Sequence, residues 1–70
     1  MNPASLIVAR YLAVHGMPQV LILDGALTYP ESLNVAAITA FCWSEFQMVP
    51  SATIAKHVLR SLQALAKEQP

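Results

Sequence analysis

Asp24-Gly25 interrupts an apolar stretch, with Val20-Leu21-Ile22-Leu23 on one side and Ala26-Leu27-Thr28-Tyr29 on the other. A type I′ turn needs positive φ at both central residues, and Asp-Gly supplies it at low cost, so the pair predicts a β-hairpin over residues 20–29. The competing reading is a single strand with Asp24-Gly25 turning directly into the next helix. Val20–Leu23 does not alternate apolar with polar residues, which predicts a strand covered on both faces; two hairpins pairing across a dimer axis would make a four-stranded sheet and remove two exposed edges. A hairpin at this place in a chain of 70 residues leaves room for one domain.

Helical signals surround the hairpin. Asn2-Pro3 is an N-cap followed by a proline at the first helical position, and Gly16 can take the positive φ that ends a helix. This predicts a helix over residues 3–15. At 100° per residue Ser5, Arg10 and His15 fall on three different sides, so this helix has no broad polar face and reads as buried all round. The second helix is expected over about 31–47, capped by Thr28 or Ser32. Thr28-Tyr29-Pro30-Glu31 has capping-box spacing, and Pro50 enforces the stop. On it Val35, Ile38, Cys42 and Phe46 form one stripe, flanked by Phe41 and Met48, whereas Trp43 points about 100° away from Cys42. The third helix, about 52–67 with Ser51 as N-cap, is cleanly amphipathic. Ile54, Ala55, Val58, Leu59, Leu62, Leu65 and Ala66 fill one arc, and Thr53, Lys56, Arg60, Gln63 and Lys67 fill the other. Glu68-Gln69-Pro70 is expected to fray. The fold class is therefore mainly α with a short β-hairpin, in the order α-ββ-α-α.

Composition then decides how such a chain hides its surface. Fully 56% of the residues are apolar and 11% are charged, against about 25% charged in soluble domains. A domain this small buries only about 60% of its unfolded surface. A helix apolar all round needs cover on both sides, so the expected assembly is an intertwined homodimer with a core-like interface. A disulfide framework is excluded because Cys42 is the only cysteine, which fits a reducing cytoplasm. A membrane location is not expected. Leu6–Leu23 is broken by Arg10, His15, Gly16, Pro18 and Gln19, too interrupted for ~20 spanning residues. No basic residue precedes Leu6–Ala9, and no small-residue cleavage site follows, so a signal peptide is not expected either. The formal net charge of zero draws the chain toward neither nucleic acid nor anionic lipid.

Candidates for chemistry are His15, His57, Cys42, Asp24, Glu31 and Glu45. A Cys42–His57 pair would be nucleophilic only if the side chains met. Cys42 lies on an apolar stripe and His57 on a polar arc, so an inert buried thiol is the expectation. Two histidines and one cysteine far apart match no metal-ligand spacing, and Gly16 and Gly25 cannot build a phosphate loop. No catalytic residue, cofactor or metal is expected.

The segment "AAITAFCWSEFQMVPSATIAKHVLRSLQAL" resembles the helix-turn-helix of bacterial regulators, in which an apolar helix, a short turn and a Ser-capped helix of the form S-x-T-I-x-x-H-x-x-x-x-L follow one another. Ser51, Thr53, Ile54, His57 and Leu62 match that form. The resemblance implies a groove-facing set of Thr53, Lys56, His57 and Arg60, with Lys67 on phosphate. A strand followed by two helices also resembles the ribbon-helix-helix family. Met48-Val49-Pro50 stands where the helix-turn-helix turn has its glycine, and "VLIL" offers no polar side chain to a groove. With four basic residues in the chain and phosphate contacts supplying most DNA affinity, a solvated helix face is the favoured reading of this row. Protein binding remains. Trp43, Tyr29, Met48 and Phe41 are the expected anchor residues, since aromatic side chains dominate interfaces. The function expected is that of a homodimeric, non-enzymatic regulator that modulates or inhibits another protein, and a DNA-binding repressor using the last helix is the alternative.

Overall fold

Three helix starts are fixed by side chains that accept from otherwise unpaired N–H groups. Asn2 Oδ1 accepts from Ser5 N at 2.8 Å and opens α1, Pro3–His15. Asn34 Oδ1 accepts from Ala37 N at 2.8 Å and opens α2, Val35–Phe46. Ser51 Oγ accepts from Ile54 N at 3.2 Å and opens α3, Ala52–Lys67. Between α1 and α2 lie β1, Leu21–Leu23, and β2, Ala26–Thr28, paired antiparallel with Ile22 opposite Leu27. The computed structural model describes residues 2–68; of the end expected to fray, Gln69 and Pro70 lie outside the described residues, whereas Glu68 N donates to Ala64 O at 3.3 Å.

The α-ββ-α-α layout is present, and the hairpin displaces the single-strand reading. Asp24 and Gly25 have φ of 51° and 77°, the left-handed pair that a primed turn requires. The start of α2 corrects the sequence expectation. Neither Thr28 nor Ser32 caps it, and the helix begins at Val35 rather than near 31. Leu33 N donates to Pro30 O at 3.0 Å, so Pro30–Leu33 forms a turn instead of a first helical turn. Asn34 wins because its side chain works at both ends, with Nδ2 donating to Glu31 O at 2.8 Å. Leu33 and Ile38 also occupy the positions of a hydrophobic staple, and both are in the core. Asn34→Ala is expected to cost about 1 kcal/mol in chemical denaturation, and Ser32→Ala to leave the midpoint unchanged; the reverse order would restore the earlier cap.

α3 packs against both α1 and α2. The core is built from Ile7 of α1, Leu33, Ile38, Phe41 and Cys42 around α2, and Ala55, Val58 and Leu62 of α3. All three faces come from the 3.6-residue periodicity of their helices. The hairpin is different. Its strands pair with each other but pack extensively on no helix. Leu21, Ile22 and Leu23 are 58%, 72% and 53% exposed. The expectation of a strand covered on both faces is thus not met within one chain. α1 likewise buries Ile7 and packs Ala4, Val8, Tyr11 and Leu12 against the core, while leaving Leu6 and Val14 half exposed.

Candidate protein-binding surface

The sequence-predicted anchor residues separate in three dimensions. Trp43 is 59% exposed in the last turn of α2. Its position follows from the helix: Ile38, Phe41 and Cys42 turn inward, and the next residue is carried outward. The indole makes no hydrogen bond or ring contact with the described residues. Val49, 70% exposed, lies in the turn that follows the same helix end. That turn is closed by Gln47, which takes φ of 52° without being glycine. Gln47 N donates to Trp43 O at 3.0 Å and its Nε2 to Ser44 O at 3.1 Å, two bonds that offset the strain of a left-handed non-glycine residue. Met48 is half-buried against the core.

Phe41 is not on this surface, and here the expectation is corrected. It is 7% exposed. Its ring meets Tyr11 at 5.2 Å in an edge arrangement, His15 at 5.5 Å and Phe46 at 6.4 Å between centroids. Phe41 flanks the Ile38–Cys42 stripe by one residue, and α1 covers that flank. Tyr29 is half-buried and, with Leu21, Thr28 and Pro30, lines a cleft of about 240 Å³ to which Trp43 does not contribute.

No residue of β1 is among the expected anchors, yet the hairpin offers a surface of its own. Ile22, Leu27 and Val20 look onto an open cleft of about 550 Å³, walled on the other side by Met17, Ala66 and Lys67. The signal was visible as an uncharged run from Val20 to Leu23, but a strand buried on both faces and one exposed on both faces share the same composition.

The chemical candidates are dispersed. Cys42 is fully buried, and burial pushes its thiol above the ordinary value of 9.0, the opposite of what a nucleophile needs. His57 is exposed on the far side of α3. His15 meets Tyr11 in a tilted arrangement, 4.8 Å between centroids. No group of three or more His, Cys, Asp or Glu is placed to hold a metal among the described residues. Arg10 Nη1 and Glu45 Oε1, 3.2 Å apart, link α1 to α2 in the one salt bridge among the described residues, with Arg10 also 5.1 Å from the centre of the Phe46 ring. Both groups are substantially solvated, so the pair adds little stability. Thr53, Lys56, His57, Arg60 and Lys67 are all exposed on α3, with no ion pair among the described residues. Among the described residues no helix is long and apolar enough to cross a membrane. No protein-family model matches the chain, and no curated protein or solved structure matches it either.

Proposed function

We propose that this chain is a non-enzymatic regulator that acts as a homodimer by docking on another protein, with Trp43 as the central anchor. The observation that carries this reading is the uncovered, unpartnered indole of Trp43, 59% exposed in the last turn of α2. A tryptophan is large enough to supply most of an interface hot spot, and a chain with few charges gains no other strong source of affinity. The single buried thiol suits a reducing compartment such as the cytoplasm. Because Trp43 lies outside the core, Trp43→Ala should change unfolding stability by less than about 0.5 kcal/mol. The same change should weaken partner binding at least about 30-fold, as for a hot-spot residue. A photo-crosslinking amino acid at position 43, introduced in the native host, provides the test. Adducts to one foreign protein, whose capture is lost with Trp43→Ala, support docking. Adducts only to a second copy of this chain would make Trp43 a dimer residue and overturn the reading.

A second reading rests on the exposed row Thr53, Lys56, His57, Arg60 and Lys67, which follows the α2–turn–α3 arrangement in the way a groove-reading helix does. Its test is titration of a generic DNA duplex at ~50 and ~200 mM salt, where phosphate-based binding weakens steeply with salt. Absence of binding at the lower concentration removes it.

A further inference from the structure

The hairpin has a backbone geometry that specifies how it would meet another strand. Leu23 and Ala26 flank the two-residue turn and so form a hydrogen-bonded pair. Ile22 and Leu27, one step further from the turn, are then the pair without mutual hydrogen bonds. Each directs its N–H and C=O away from the other strand. Neither residue makes a backbone hydrogen bond outside the strand pair among the described residues. The outer edge of β1 therefore presents the free N–H and C=O of Ile22, whose side chain is 72% exposed.

Natural edge strands are protected by charge, proline, a bulge or a covering element. β1 has none of these. Pro18 lies outside the strand, and Asp24 is in the turn. β2 is better protected, since Pro30 follows it without an N–H and Tyr29 is half-buried beside it. Two three-residue strands are also marginal by themselves.

We infer that the β1 edge is the seam of the homodimer, with Ile22 pairing antiparallel with the partner's Ile22 to give a four-stranded sheet in the order β2-β1-β1-β2. This rests on the homodimeric part of the function proposed above. The partner is a second copy for three reasons. A strand whose central residue has both N–H and C=O directed outward can exchange both bonds with its own copy about a two-fold axis. The resulting register places Leu27 and Ile22 of each chain in one continuous apolar row, and Leu21 of each chain opposite Leu23 of the other on the opposite face. Asp24, the only charge between Gly16 and Pro30, would lie at opposite ends of the seam, about 13 Å from its copy along the strands, so like charges do not meet.

Area points the same way. A folded monomer of 7.6 kDa exposes about 4300 Å² by the usual size scaling, whereas this chain exposes 4744 Å². The surplus, on the order of 450 Å², is more than half of the roughly 800 Å² per partner in a standard interface.

Two measurements on the intact chain test this. Sedimentation equilibrium is expected to give twice the 7.6 kDa chain mass for the wild type. Ile22→Lys is expected to weaken the dimer at least about 30-fold while its helical circular dichroism stays unchanged. Backbone amide exchange keeps the proposal falsifiable if that variant does not fold. In the wild type the Ile22 N–H should be protected in the dimer and lose protection on dilution, while the Leu27 N–H exchanges freely. A monomeric wild type overturns both the dimer and the seam. A dimer with an unprotected Ile22 amide, or with Leu27 protected instead, overturns the β1 seam alone and leaves the dimer standing.

Discussion

Phe41→Ala is expected to remove about 3–5 kcal/mol of stability, the cost of truncating a buried aromatic residue, read as a large fall in the urea midpoint. The ring joins two helices. Tyr11 and His15 of α1 and Phe46 of α2 surround it at centroid distances of 5.2, 5.5 and 6.4 Å. Edge-on aromatic pairs add to the area that the ring buries. The Arg10 links from α1 to α2, the largely solvated bridge to Glu45 and the contact with the Phe46 ring, do not compensate, since each is worth only about 1 kcal/mol or less. The comparison with Trp43→Ala is decisive, since the two aromatic residues are two positions apart on one helix. If truncation of Phe41 left the midpoint unchanged and that of Trp43 lowered it, the roles assigned to the two residues would be reversed.

Leu62→Ala is the second large effect, with an expected loss of about 2–5 kcal/mol. Leu62 is fully buried on the one helix that packs against both others. Few large side chains share this burden. Ile7, Ile38, Leu62 and Val58 are fully buried and Leu33 and Phe41 nearly so, while Cys42, Ala55 and Ala66 add only small groups. A single core in a domain of this size supplies about 3–5 kcal/mol, so the variant should be largely unfolded at 25 °C and low concentration, visible as lost ellipticity at 222 nm. Retention of full helicity there would mean that α3 does not organise the core. Should self-association contribute to stability, the wild-type unfolding midpoint rises with protein concentration.

Much of the backbone was legible from short stretches. The bounds of α1 and α3 follow from Asn2-Pro3, Gly16 and Ser51, because a cap depends on one side chain and the first turn beside it. Asp24-Gly25 placed the hairpin for the same reason, since positive φ is a property of two residues and not of their surroundings. The position of Trp43 outside the Ile38–Cys42 stripe was also legible, as it needs only helical periodicity. The beginning of α2 was not. Thr28 and Ser32 are the starts read from the local pattern, but the cap is Asn34, whose neighbour Leu33 is buried with Ile38.

Phe41 and the hairpin make the division clear. Local chemistry set the element types, their order, the caps and the reversal at Asp24-Gly25, because each rests on dihedral preferences and hydrogen bonds within a few residues. Packing set which apolar residues are hidden. Phe41 went inside because α1 lies over that flank of α2, and Leu21, Ile22 and Leu23 stayed outside because, among the described residues, no helix packs extensively on β1. Side-chain hydrophobicity is the same in both cases. Burial is a relation between a side chain and the elements that cover it, and that relation exists only once the helices have docked.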